Sequence, residues 1–239
     1  MISYPLMVIW TVLMMPLFPL GICLWKLFTG LPLNVITRRF VSLYGRGWIR
    51  IMSPFVSLER QNFEGKSFGE KGIIVVNHLS YFDTYFMGAL PLTNLVFIVR
   101  AWAFKLYWYT FFMKLAGYVN VESLDWKSSE VICRSRLEEG GFLVFFPEGH
   151  RSKDGKMHRF HSGAFKLAVE TGVPLFPLCL TGTDVLLPPS RLWMKPCKVK
   201  MKLLDPIDPT QYQGEGAYVD MRNDVKRLML QHVEEMSAA

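Results

Sequence analysis

Charge is what the amino terminus lacks: residues 1–25 carry no charged side chain, and Lys26 is the first. As a helix, such a stretch is long enough to cross a hydrocarbon core of about 30 Å. No basic residue precedes the apolar run and no small-residue cleavage site follows it, so it fits a cleaved signal peptide poorly. Pro5, Pro16 and Pro19 argue against one straight helix, because an interior proline removes a hydrogen bond and kinks the chain. Cysteine is scarce as well. Cys23, Cys133, Cys179 and Cys197 stand far apart in no metal-ligand spacing, three of them in apolar runs, and read as buried reduced thiols. There is no internal repeat, no low-complexity tract and no linker pointing to a second soluble domain. Helix-turn-helix, zinc-finger and RNP patterns are missing, so nucleic acid is not an expected partner. The Gly-x-Ser-x-Gly elbow of the covalent hydrolases is missing too.

What is present is a chain of 239 residues, enough for one domain with a sizeable core. It is 51% hydrophobic, greasier than most soluble domains, yet its 20% charged residues exclude a polytopic membrane protein. The formal charge of +7 favours an anionic partner, such as a lipid surface, a phosphorylated substrate or an acidic carrier protein. Trp10 and Trp25 sit where interfacial anchors are useful, and Lys26, Arg38, Arg39, Arg46 and Arg50 would hold their side at the cytoplasmic face of the membrane. Residues 40–56 mix Phe40, Trp48, Ile49, Ile51 and Phe55 with arginines, which suits an interfacial segment. Residues 1–56 are therefore expected to be a helical motif that associates with the bilayer, and residues 57–239 an α/β domain.

Within that domain, short apolar runs at 55–59, 72–76, 94–99, 117–121, 141–146 and 175–180 predict strands covered on both faces. Stretches at 82–90, 101–115, 127–139, 161–171 and 217–236 are long enough for helices. Ser128 or Ser129 is the expected cap of the third, with Gly140 and Gly141 ending it. The alternation predicts an α/β fold, a mostly parallel sheet flanked by helices. One strand differs: Cys197–Leu203 alternates strictly and puts Lys198, Lys200 and Lys202 on one face, as expected of an edge or half-exposed strand protected by charge.

Two short motifs carry the chemistry. In Asn77-His78-Leu79-Ser80-Tyr81-Phe82-Asp83, a strand-turn-helix corner can fold the carboxylate of Asp83 against the imidazole of His78. The acid then sets tautomer and orientation while the other ring nitrogen accepts a proton. There is no Gly-x-Ser-x-Gly elbow and no cysteine placed beside the pair as a nucleophile, so the substrate's own hydroxyl is expected to attack. In Phe146-Pro147-Glu148-Gly149-His150-Arg151-Ser152, proline stops a strand and glycine permits a turn. Glu148 and Arg151 thus project at a strand's carboxyl end, where open α/β sheets bind ligands. Arg151 has the fork geometry for phosphate. Glu148 is placed to accept from a substrate hydroxyl or to support the head group. The run from Gly149 to Lys156 is not a P-loop, because five residues separate Gly149 from Gly155 and Met157 stands where Ser or Thr is needed. His150, His158 and His161 with Asp154 match no common zinc spacing and lie among lysines, so no metal is expected.

These residues resemble the glycerolipid acyltransferase superfamily, which contains the 1-acyl-glycerol-3-phosphate (lysophosphatidate) acyltransferases. Its first motif is matched by Asn77, His78 and Asp83, its third by Phe146 through Ser152, and its fourth by Val173-Pro174-Leu175-Phe176-Pro177. The matches run in order from about residue 72 to 180. The resemblance implies an acyltransferase fold behind an amino-terminal membrane motif. It implies that His78 deprotonates an acceptor hydroxyl, that Asp83 orients His78, and that the hydroxyl attacks the thioester of acyl-CoA or an acyl carrier protein. Glu148, Gly149, Arg151 and Ser152 would hold the polar head of a lysolipid acceptor. No cofactor is implied. The family's second motif normally ends in an arginine that helps bind glycerol phosphate. Here the stretch Gly117-Tyr118-Val119-Asn120-Val121-Glu122-Ser123 has none, and Glu122 would be unhelpful beside a phosphate. Arg100 and Lys105 are the candidate substitutes. Two other readings stand beside lysophosphatidate: the same chemistry on another acceptor (a lysophospholipid, an aminolipid or a specialised lipid), or a catalytically silent lipid-binding protein on this fold.

Overall fold

A computed structural model describes residues 3–105, 107–122, 124–187 and 194–238. The chain begins with two long helices, α1 (Ser3–Thr29) and α2 (Leu33–Met52). There follow β1 (Val56–Gln61), β2 (Gly72–Val76), α3 (Asp83–Phe86), β3 (Leu95–Val99), α4 (Tyr107–Ala116), β4 (Val119–Asn120), α5 (Trp126–Glu138) and β5 (Phe142–Phe145). The remainder is α6 (Gly163–Thr171), β6 (Leu175–Thr181), α7 (Thr183–Leu186), β7 (Cys197–Leu203) and α8 (Ala217–Ala238).

The seven strands form one sheet in the order β1-β7-β6-β2-β5-β3-β4. Strands β2 to β6 run parallel, β7 is antiparallel to β6, and β1 is parallel to β7. The expected α/β fold with a mostly parallel sheet is therefore present. Because side chains alternate along a strand, the sheet feeds two cores. One takes Ile74, Val76, Phe97 and Val144 against Met52, Phe82 and Phe86; the other takes Ile73, Val75, Val96 and Leu143 against Leu137, Phe165, Val225 and Met229. All five residues of β2 are buried, which is why that strand reads as a continuous apolar run. From β2 the chain crosses to β3, returns to β5 beside β2, then reaches β6 on the other side of β2. The carboxyl ends of β2, β5 and β6 are thus neighbours, the place where open sheets of this kind form a crevice.

Four local expectations are corrected. Strand β7 is not at an edge; it lies between β1 and β6, and β1 and β4 are the edges. The half-exposed alternation holds, with Val199, Met201 and Leu203 buried and the lysine face partly open: Lys198 is exposed and meets Glu59 at 2.5 Å, and the Lys200 Nζ donates to the Met236 carbonyl at 2.7 Å. Helix α5 is capped by Asp125, whose carboxylate accepts from the Ser128 N–H at 2.7 Å, rather than by Ser128 or Ser129. Helix α1 continues through Pro16 and Pro19. Packing along α2 supports the helix where each proline removes a donor: Phe18 meets Phe40 and Tyr44 edge-on at 5.6 and 5.8 Å, and Thr11 bonds the Tyr44 hydroxyl at 2.8 Å. Finally, Cys23 is exposed on α1, whereas Cys133 and Cys179 are buried, their thiols pushed up to about 12 by burial.

The first helix is long and apolar enough to cross a membrane: Pro5–Thr29 has a mean hydropathy of 2.1 with only 17% of its most apolar window buried. Leu27 and Phe28 are 79% and 86% exposed. Helix α2, by contrast, is docked on the sheet. Arg38, expected at a membrane face, is fully buried; it donates to the Ala116 carbonyl at 2.7 Å, to Asn94 Oδ1 at 2.9 Å and to Glu139 Oε2 at 3.2 Å. Burial pulls its guanidinium below the usual arginine range, and Glu139 opposes that pull.

Candidate active site

Residue His78 lies two positions beyond β2, and the turn that follows returns the chain to α3. Asp83, at the first position of α3, is wholly buried. Its Oδ2 accepts from the Leu79 and Ser80 N–H groups at 2.7 and 2.8 Å and faces His78 Nδ1 at 2.8 Å. A carboxylate oxygen already accepting two N–H groups can only accept from the ring as well, so Nδ1 carries the proton and Nε2 is left as the base. The His78 ring lies on the Phe146 ring, centroids 4.4 Å apart and planes 33° apart, which restricts its rotation. Upstream, Asn77 is buried and exchanges two bonds with Leu180 of β6, at 2.7 and 2.9 Å, tying the end of β2 to its neighbour.

A third arm was not foreseen from sequence. The Thr183 hydroxyl at the start of α7 donates to Asp83 Oδ1 at 2.6 Å. Gly182 makes this possible: its φ of +87° is in the left-handed region, and a Cβ there would meet the Lys198 carbonyl oxygen at 2.1 Å. The two residues are 100 positions apart, and no short-range pattern in the sequence reports such a contact. The turn Thr181-Gly182-Thr183 after a strand was the only available signal.

The second motif leaves β5 beside this corner. Gly149 closes a turn with a φ of +71°, its N–H bonding the Phe146 carbonyl at 3.0 Å. Glu148, read from sequence as a head-group contact, is buried, and both its oxygens are taken by backbone: Oε1 accepts the His78 N–H at 2.8 Å, Oε2 the His158 N–H at 2.9 Å. Burial raises its carboxyl above the usual range, and the two N–H groups oppose that rise. Ser152 is likewise engaged. Its N–H bonds the His78 carbonyl at 2.7 Å and its hydroxyl bonds Asp154 at 2.9 Å. Glu148 and Ser152 therefore clamp the two motifs together through the backbone on either side of His78.

Arg151 remains accessible. Its guanidinium lies over the Tyr81 ring, 4.2 Å from the centroid, an arrangement that holds a cation without neutralising it. Arg100, directly after β3, reaches the same corner, where Nη1 donates to the Gly149 carbonyl at 3.3 Å and Nε contacts Glu122. Lys105, at the end of the turn Ala101–Lys105, is exposed. Of the stretch from Gly117 to Ser123, Ser123 lies outside the described residues. No group of three or more metal-ligating side chains occurs among the described residues. The expected site residues His78, Asp83, Glu148, Gly149, Arg151, Ser152 and Arg100 thus gather at one end of the sheet. Of those expected to hold the head group, Glu148 and Ser152 have their polar atoms on protein partners.

Comparison with known proteins points the same way. The acyltransferase family model matches residues 56–181. The 1-acyl-sn-glycerol-3-phosphate acyltransferases BAT2 of Brassica napus and LPAT1 of Arabidopsis thaliana, both chloroplastic, are each 32% identical over 157 residues. That is 63% of this chain, and 45% and 44% of theirs. A 1-acyl-sn-glycerol-3-phosphate acyltransferase of Helicobacter pylori is 24% identical over 195 residues, 79% of this chain and 82% of its own. The chain thus spans under half the length of the two plant relatives. Among solved structures, the 1-acyl-sn-glycerophosphate (LPA) acyltransferase PlsC of Thermotoga maritima superposes with a TM-score of 0.71 at 24% identity, covering 95% of this chain and 96% of that one. At that identity the likeness establishes the fold.

Proposed function

This chain belongs to the acyltransferase family, and on that premise we propose that it is a membrane-associated O-acyltransferase of phospholipid biosynthesis. It moves a fatty acyl group from a thioester, acyl-CoA or acyl carrier protein, to the free hydroxyl of a lysophosphatidate-like acceptor. The observation that carries this reading is the His78–Asp83 pair at 2.8 Å, with Asp83 held by three further donors. The acceptor hydroxyl gives its proton to Nε2 as its oxygen attacks the thioester carbonyl carbon. The new C–O bond forms, the C–S bond breaks, and Nε2 returns the proton to the departing thiolate. Asp83 faces the imidazolium that exists between the two transfers. Because the acceptor itself is the nucleophile, the scheme forms no acyl-enzyme.

Arg151 and Arg100 bind the acceptor's phosphate, and the turn at Gly149 lets backbone approach it. Glu148 and Ser152 serve as positioning residues, holding the segment around His78. Residues 1–56 form the membrane-associating motif and residues 57–239 the catalytic domain, with the site opening to the cytoplasmic face. The exposed apolar surface of α1 supports a bilayer partner.

The test is thiol release by detergent-solubilised protein, given acyl-CoA or acyl carrier donors and a panel of lysolipids. A positioned general base contributes about 100- to 10,000-fold, so His78→Ala should cut release by at least about 100-fold while lipid association persists. Release that survives His78→Ala would sink the mechanism.

A further inference from the structure

The head-group corner contains an acid where charge complementarity to a phosphate calls only for cations. Strands β3 and β4 are adjacent and parallel, with Val99 in register with Asn120. Arg100 and Glu122 follow these partners by one and two residues, so the sheet itself delivers both side chains to the same end. There they form an ion pair. The second carboxylate oxygen of Glu122 accepts the Ala101 N–H at 2.8 Å, and the Glu122 N–H is held by Asn120 Oδ1 at 3.0 Å. Arg100 is tethered at its far end too, through Nη1 to the Gly149 carbonyl. The acid is thus held by the Ala101 N–H just beyond β3 and by Arg100, rather than left to swing as a surface side chain. The Ala101 N–H and Arg100 both hold its carboxyl below the usual range, so it is ionised at neutral pH.

Pairing with Glu122 offsets one of the two guanidinium charges that Arg100 and Arg151 would otherwise offer a phosphate. A phosphomonoester carries about −1.5 to −2 at pH 7, whereas a phosphodiester carries one negative charge. Resting on the acyl-transfer reading above, we propose that Glu122 is a specificity-determining residue that opens the site to a second class of acceptor, lysolipids with a singly charged phosphodiester head group. Paired with Arg100, it removes the excess of cation that would otherwise favour the doubly charged phosphomonoester. A phosphate seated on Arg100 lies near the Glu122 carboxylate and is repelled in proportion to its own charge, so the monoester suffers more.

The experiment measures kcat and KM for a lysophosphatidate and for a lysophosphatidylglycerol of the same acyl chain in mixed micelles, using the full chain. Wild type should turn over both. Glu122→Gln keeps an oxygen for the Ala101 N–H but removes the charge. It should shift the ratio of the two kcat/KM values about tenfold towards the monoester, through KM rather than kcat. Glu122→Asp, which restores the charge, should bring the ratio back towards wild type. An unchanged ratio in Glu122→Gln, or an equal fall for both acceptors, would overturn the proposal and leave Glu122 a structural support of the turn. Equilibrium binding of the same two lysolipids without donor separates this proposal from the one it rests on. A charge-dependent binding ratio with no thiol release would refute acyl transfer but keep the selectivity, and a charge-blind ratio would refute the selectivity whatever the turnover.

Discussion

Replacing Thr183 by valine removes one hydrogen bond and almost no volume, and it probes the arm of the site that lies furthest from His78 in sequence. Asp83 is fully buried, and the Thr183 hydroxyl at 2.6 Å is the donor to its Oδ1. A hydrogen bond to a charged group contributes about 1.5–3 kcal/mol, and water has no access to replace the lost donor. Thr183→Val should therefore lower stability by about 2 kcal/mol, roughly 4–8 °C in Tm for a chain of this size. Oδ2 keeps its two backbone donors and the His78 ring, so the pair survives but the carboxylate is held on one side only. If about half of the lost energy appears as poorer alignment when the imidazolium forms, kcat falls about fivefold to tenfold. Thermal melting and the thiol-release assay, run on the same preparations, measure both effects. Thr183→Ser keeps the hydroxyl and should recover most of each loss. A valine variant with unaltered melting and turnover, or a serine variant as impaired as the valine one, would refute the reasoning.

Arg38→Ala should destabilise the chain by about 3–5 kcal/mol, because it removes a buried cation from Glu139, Asn94 and the Ala116 carbonyl. Arg38→Met, which fills the same space, should cost distinctly less; equal losses by chemical denaturation would mean that pairing rather than packing holds α2. Gly182→Ala should lower Tm and kcat together, since its Cβ would meet the Lys198 carbonyl and the left-handed φ alone costs about 1–3 kcal/mol. A crystal structure of that variant with Thr183 still on Asp83 would contradict this. The Lys156 N–H and the Ser152 hydroxyl hold the Asp154 carboxyl down to about 2. A depressed carboxyl stabilises the folded state above its unfolded pKa of about 3.9 and loses that contribution as pH falls through the folded value. Acid unfolding between about pH 4 and pH 2 should therefore be partly suppressed in its pH dependence by Asp154→Asn, as followed by circular dichroism.

Much of the fold was legible in the sequence because its elements depend on near neighbours. The runs at 72–76 and 175–180 are apolar throughout, and both are strands buried on both faces. Asp83 stands five residues from His78, so a single tight turn is enough to join them. The apolar residues that leave α1 exposed were likewise visible as an uncharged stretch. Other features were misread where local pattern competes with distant partners. The lysine stripe of β7 was read as that of an edge or half-exposed strand; the strand is half-exposed, but β1 pairs beyond it, so it is no edge. Arg38 was taken for an interfacial charge, although Asn94, Ala116 and Glu139 enclose it.

By itself, the sequence determined the alternation of strands and helices, the general-base pair and the placement of Arg151 just past a strand's end, all set by spacings of a few residues. Tertiary structure alone decided the strand order, the burial of Glu148 on two backbone N–H groups, the third arm from Thr183 and the pairing of Arg100 with Glu122. Each of these depends on segments that follow different strands being brought together. A side chain's partner across such a distance depends on which strands lie next to one another and in what register, and that is settled only when the whole sheet packs.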